Sequence, residues 1–174
     1  MTTLTVTQGD AIDPKSFWGA LGQRATGMTV VTAEGDDGPT GFLGLSAAHV
    51  TVNPATMLVS VDHRTSALAG ILSRRHFAVN FLPASAVQVA DAFSGKSGLS
   101  GAARFTQGEW RVLVTGAPVF CDALGAFDCV VDDIVQRGEV SIVIGKVVAI
   151  ASRPDGDPLI FFRGTSYSEL GPHR

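Results

Sequence analysis

Charge is scarce in this chain. Asp, Glu, Lys and Arg supply 17% of its 174 residues, 13 basic against 16 acidic, for a formal net charge of -3; the usual charged share is about 25%. Disordered chains combine low hydrophobicity with high net charge, so this composition excludes that class. A basic stripe is also missing. The densest basic cluster is Arg74-Arg75-His76, which gives no footprint for binding a phosphate backbone, and no nucleic-acid partner is expected. Cysteine is rarer still: Cys121 and Cys129 are the only two, their spacing matches neither a zinc nor a redox motif, and both are expected to be reduced, buried thiols. His49, His63, His76 and His173 are scattered with no i, i+4 pair, so no metal site is expected. No apolar run reaches the ~20 residues that span a bilayer; even Val140–Ala151 is interrupted by Ser141 and Lys146. Met1 to Asp10 is polar and lacks the basic start and apolar stretch of a secretory signal. The expectation is a cytoplasmic protein with no membrane association.

Apolar residues, by contrast, are plentiful at 45%, and the mean hydropathy is positive. At ~100–200 residues per domain the length allows one domain with a real core. The apolar excess must fill that core and also a subunit interface, which predicts a homo-oligomer. Residues 1–12 lack periodicity and read as a flexible N-terminal arm, leaving 13–171 as the domain. Asp13-Pro14 predicts a helix start, with Phe17, Trp18 and Leu21 as its buried face and Gly22 or Gly27 as its end. Strands follow at 28–33 and from Thr40, joined by the turn cluster 34–39, and again at 56–62. Leu68, Ile71 and Leu72 predict a buried helix face within 65–75, and 76–82 reads as a strand. Ser85 is placed to cap a helix burying Val89, Ala90 and Phe93. Residues 94–103, rich in Gly and Ser, predict a loop, and 110–115, 123–136, 140–151 and 158–162 predict further strands. About seven strands with hairpin-length connections, and only three short helices, favour a mainly β, antiparallel barrel with peripheral helices over a parallel sheet.

Two local motifs are suggestive and fail. Phe93-Ser94-Gly95-Lys96-Ser97 resembles a phosphate-binding P-loop, but position 90 is Ala and the preceding segment reads as helix rather than strand. Backbone N–H groups and Lys96 remain available in that loop for a phosphate or a cofactor edge. Gly44-Leu45-Ser46-Ala47-Ala48 lacks the second glycine of a nucleophile elbow.

Taken in order, several segments resemble the flavin reductase family, the reductase components of two-component flavin-dependent monooxygenases. These are Arg24 to Thr32, Gly41 to Ser46 with Val50 to Pro54, Thr56 to Asp62, Phe77 to Leu82, Arg104-Phe105 with Trp110, Gly116-Ala117-Pro118 with Cys129, Gly145-Lys146-Val147, and Pro158 to Gly164. The resemblance implies a homodimer of six-stranded, Greek-key, FMN-binding split barrels that use FMN or FAD with NADH or NADPH. It places Leu43, Gly44, Leu45, Ser46 and Ala47 along the flavin ring and ribityl chain. On the phosphate side it places Ser60, Val61, Asp62, His63, Arg64 and Ser66, with Arg64 as the phosphate ligand. Asn80, Phe93, Lys96, Arg104 and Phe105 are further candidates for flavin contact.

Such a site needs no nucleophile, because the cofactor carries the chemistry. The implied activity is hydride transfer to flavin N5 and supply of reduced flavin to a partner monooxygenase. Reduction of another small acceptor, or flavin carriage without catalysis, is the alternative. Two positions depart from the family pattern. Leu43-Gly44-Leu45-Ser46 stands where relatives have Thr-Ala-Asn-Ser, and Gly138-Glu139-Val140 stands where they have Gly-Asp-His with a nicotinamide-associated His. His49 and Tyr167, beside Val140, are then the candidate nicotinamide contacts.

Overall fold

The computed structural model describes residues 4, 6–9 and 11–169. Residues 1–3, 5 and 10 of the expected arm, and 170, 171 and His173 at the other end, lie outside the described residues. The arm's other residues carry no helix or strand. Elements then run in the order α1 Pro14–Leu21, β1 Thr26–Gly27, β2 Thr29–Gly35, β3 Gly38–Leu43, β4 Ala48–Val52, β5 Ala55–Asp62, α2 Ala67–Arg74, β6 His76–Phe81 and α3 Val87–Ser94. A 3-10 turn at Gly101–Thr106 precedes β7 Trp110–Val112, β8 Pro118–Phe120, β9 Gly125–Arg137, β10 Val140–Ser152, β11 Ile160–Phe162 and β12 Thr165–Tyr167.

The strand pairings are antiparallel. The main sheet has the order β3-β2-β6-β9-β10-β5-β4, seven strands where the resemblance implies six. Its two edge strands are consecutive in the chain, and that decides its shape. Laid flat, the edges would lie about 29 Å apart at about 4.8 Å per strand. The link from Leu43 to Ala48 is five Cα steps and reaches at most about 19 Å. The sheet must therefore curl until its edges approach, leaving a split between β3 and β4. Residues 44–47 bridge that split, and the Ser46 hydroxyl fastens the bridge to β5, accepting from Ser60 N at 3.1 Å.

β2 is buried on both faces. Val30 joins one core cluster with Met28, Leu82, Phe93, Phe120 and Leu159, while Val31 joins another with Val59, Ile71, Phe77 and Val143. This follows from the period-two alternation of a strand placed between two packed layers. Asn80 fastens the layers together: fully buried, it donates from Nδ2 to Val30 O at 3.1 Å and accepts at Oδ1 from Phe120 N at 2.8 Å. At Gly145 a Cβ would lie 2.6 Å from the Phe77 ring, so only glycine lets β10 pass over that buried aromatic.

Several local expectations are corrected. Asp13 caps α1 as expected, accepting from Ser16 N at 3.0 Å, and Gly22 ends it. Its apolar face is not buried, however: Phe17, Trp18 and Leu21 are all exposed, because the helix lies on the outside and is tied to the fold through its C-terminal end. Leu72 is likewise exposed; α2 is only eight residues long and lays a narrow stripe, Leu68 and Ile71, on the sheet. The cap position of α3 is Ala86, and no side chain bonds there, so Ser85 does not serve. The segment expected to be loop through Ala103 winds into the 3-10 turn from Gly101. Strands β4, β8 and β12 had no periodic signal because they are only three to five residues long.

Candidate functional site

The bridge 44–47 and the strand it touches carry most of the residues singled out by resemblance. Leu43 is half-buried against the first core cluster and Ala47 against the second. Gly44 has its backbone occupied: N–H donates to Thr29 O at 2.8 Å, and its carbonyl accepts from the Thr29 hydroxyl. Both main-chain polar groups of Gly44 are therefore engaged with Thr29. Leu45 is the bridge residue whose side chain reaches an open cavity. On β5, alternation turns Ser60 and Asp62 outward and Val61 into the core, so Val61 has no side-chain role at a surface site.

Beyond β5 the expected phosphate ligand is already engaged. Arg64 forms a fork with Asp62, Nε to Oδ1 at 2.9 Å and Nη2 to Oδ2 at 2.8 Å. The guanidinium and the Arg64 N–H, also at 2.9 Å from Oδ1, hold the Asp62 carboxyl well below the usual carboxylate range. An incoming phosphate would have to share Arg64 with Asp62. His63 Nε2 lies 2.9 Å from Gln136 Oε1 and 3.2 Å from Ser141 Oγ, and Ser66 precedes α2 without capping it.

The further candidates for flavin contact make contacts within the chain. Asn80 has its amide occupied in the core, as described above. Phe93 is 3% exposed and packs with Phe105 at 5.0 Å and Trp110 at 5.4 Å between ring centroids, and Trp110 in turn packs with Phe105 at 4.9 Å and Phe120 at 5.2 Å, a mutually tilted cluster that favours edge-to-face contact. Arg104 clamps the 3-10 turn to β3, donating from Nη1 to Gly41 O at 2.8 Å and from Nε to Leu99 O at 3.1 Å. These contacts engage the Asn80 amide, the Phe93 ring and two of the Arg104 nitrogens within the chain. Lys96 is exposed, 3.9 Å from Asp91, beside a separate cavity of about 370 Å³.

The expected nicotinamide contacts are also dispersed within one chain. Val140 pairs with Asp62 on β5. His49, on β4, pairs with Met57, which faces Gly145, so the two levels lie five positions apart along β10. Tyr167 belongs to a separate three-stranded sheet of order β1-β11-β12, opposite Ile160.

Cavities lie beside these elements. The one that includes Leu45 measures about 590 Å³ and is walled by Trp18, Leu21 and Phe161, with Arg24 and Arg163 at its rim. Trp18, Arg24 and Arg163 are functional candidates that sequence reading missed. The only available signal was the basic residue following the Phe161-Phe162 pair, with nothing to place it near Leu45. A second cavity of about 680 Å³ lies near the other end of β2, between Glu34, Trp110, Arg111 and Gly116. Behind it His76, 8% exposed, sits 3.9 Å from Glu34 with its Nδ1 buried and unpartnered, and burial lowers its pKa. Cys129 is also buried, and desolvation, reinforced by neighbouring Asp128, pushes its thiol up to about 12. Cys121, expected to be buried, is exposed. Among the described residues no cluster of His, Cys, Asp and Glu is arranged to hold a metal ion, and no helix is long and apolar enough to cross a membrane.

Known proteins match this architecture along almost its whole length. An FMN reductase (NADH), RutF, from Bradyrhizobium diazoefficiens is 31% identical over 160 residues, covering 92% of this chain and 87% of that protein. An FMN reductase (NADH), RutF 2, from Rhizobium rhizogenes is 33% identical over 164 residues, covering 92% and 94%. The structure of the flavin reductase PheA2 superposes with a TM-score of 0.82 at 30% identity, covering 92% of this chain and all of that one. BorF, the flavin reductase component of a bacterial two-component tryptophan halogenase, gives 0.81 at 28% identity, covering 89% and 97%. The flavin reductase like domain matches residues 21–170, and with the split barrel this places the chain in the flavin reductase family of oxidoreductases.

Proposed function

We propose that this protein transfers hydride from NADH to FMN, with NADPH and FAD as the alternatives to be tested, and releases the reduced flavin to a partner monooxygenase. The observation that carries the reading is the bridge across the barrel split. It joins β3 to β4, is held to β5 by Ser46, and presents Leu45 to an apolar, aromatic-walled cavity with a basic rim. Such a cavity fits a planar, anionic aromatic group, since the walls exclude water and the rim matches the charge. Flavin, when bound, supplies the hydride acceptor. The chain's own contribution is to position it: the backbone of the bridge is immobilised at Gly44 and Ser46, and Leu45 shields one side. The names of the relatives, FMN reductase (NADH) and a flavin reductase component of a two-component halogenase, support both the substrate pair and the delivery role.

The test mixes the purified protein with NADH or NADPH and with FMN or FAD under air. Flavin-dependent loss of nicotinamide absorbance is expected, and its absence with all four combinations refutes the reading. We further propose that the active form is a homodimer in the cytoplasm. Apolar side chains exposed on β10 and on the edge strand β4, namely Val148, Ile150, Val50 and Val52, support a second copy as their cover.

A further inference from the structure

Several cationic side chains in the fold are already engaged. Arg64, Arg74 and Lys96 face Asp62, Asp36 and Asp91, Arg104 and Arg75 bond to carbonyls, and Arg111 shares its cavity with Glu34. Arg24 and Arg163 differ: both line the Leu45 cavity, which has no Asp or Glu in its lining, and among the described residues neither forms an ion pair.

Arg163 is also held in an unfavourable backbone conformation. Phe162 pairs with Thr165, so Arg163 and Gly164 form a two-residue hairpin turn, with φ of 50° and 82°. Turns needing positive φ at both positions strongly favour Asn, Asp or Gly at the first, because in this region a Cβ crowds the following carbonyl oxygen. Backbone strain of this kind, where it persists, points to a functional demand. The guanidinium is oriented as well. Its Nε donates to Gln23 Oε1 at 2.9 Å, its Cζ lies 4.9 Å from the centroid of the Phe162 ring, and the Arg163 N–H donates to Gly22 O at 3.1 Å, tying the turn to the end of α1. With Nε occupied, the Nη groups make no hydrogen bond among the described residues.

We infer that the cavity between α1 and the β11–β12 turn is a subsite for the phosphate-bearing arm of a nucleotide substrate, with Arg163 and Arg24 as its phosphate ligands and Gln23 as a positioning residue. A planar guanidinium fork matches phosphate oxygens in a way an ammonium cannot. Trp18 and Phe161 offer ring faces for stacking, and about 590 Å³ lies within the range of small-molecule sites. The exposed face of α1 thereby has a use: Trp18 and Leu21 wall the cavity. This inference rests on the flavin reductase reading, and both substrates of that reaction, NADH and FMN, carry phosphate.

Four substrate pairs separate the sources: NADH or the phosphate-free N-benzyl-1,4-dihydronicotinamide, each with FMN or riboflavin. The variant is Arg163→Gly, which removes the guanidinium and relieves the backbone, so the thermal midpoint is not expected to fall. Its kcat/KM for a pair containing the phosphorylated ligand of the cavity, taken relative to the pair with no phosphate, is expected to drop about tenfold, mainly through KM. A drop confined to NADH pairs assigns the subsite to the nicotinamide dinucleotide; one confined to FMN pairs assigns it to the flavin phosphate. Arg163→Lys is expected to recover only part of the loss. An equal loss across all four pairs, or no loss in any, overturns the subsite while leaving the reductase reading intact. No turnover of any pair by the unmodified protein overturns both.

Discussion

Individual residues show how far side-chain identity predicts environment. Cys129 is fully buried, with its thiol pushed up to about 12, while Cys121 is exposed. Because the thiolate is the reacting species, an aromatic disulfide reagent is expected to titrate Cys121 in the native protein and Cys129 only after denaturation; reaction of both without denaturant would contradict the burial. His76 carries a pH prediction. Burial lowers its pKa, opposed by Glu34 and Asp128 and aided by Arg74, so the unfolded chain takes up the proton first. Its contribution is complete above the unfolded value near 6.5. Stability is then lost as pH falls below that value, and the loss levels off below the folded pKa. Urea midpoints across this window should fall less steeply for His76→Gln than for the unmodified protein. Val140 stands half-buried opposite Asp62, at the position where the family resemblance implies a nicotinamide-associated His. Val140→His is expected to raise kcat/KM for NADH about tenfold, the scale of one added polar contact, and steady-state kinetics would show it.

At the scale of elements, helices and long strands were legible because burial imposes a period on the sequence. Asp13-Pro14 marked α1, and branched residues marked β2, β5, β6, β9 and β10 to within a few residues. Which faces are covered was less legible: Phe17 and Trp18 have the pattern of a buried helix face and lie open, since periodicity reports amphipathicity and not what lies opposite. The short strands β4, β8 and β12 are defined by their pairing with β5, β7 and β11, which no local signal records. Close passage of elements yields another test. In Gly145→Ala the new methyl would meet the Phe77 ring at 2.6 Å and Cys129 Cβ at 3.1 Å. Such overpacking costs about 1–3 kcal/mol, measurable as a lower urea midpoint at unchanged slope.

For the whole molecule, the apolar excess noted at the outset divides between two core clusters and the exposed patches on β4, β10 and α1. The β4 and β10 patches predict a dimer, so sedimentation equilibrium should report twice the 18.1 kDa chain mass, and Ile150→Asp should shift the protein toward the monomer. The fold class followed from the sequence alone, because strand-rich texture, hairpin-length connections and scarce helix leave an antiparallel closed sheet as the economical way to remove edges. The ordered segments also sufficed to identify the family. The site was only partly readable. Leu45 and Ser46, singled out by the resemblance, lie on the bridge, and the side chains of Asn80, Phe93 and Arg104 are engaged in core and loop contacts. Tertiary structure alone decided that Arg64 faces Asp62, and that Arg24 and Arg163, distant in the chain, share one cavity with Leu45. The physical reason is that period and propensity act between near neighbours, while the partner of a long charged side chain depends on which distant segments the closure of the barrel brings within reach.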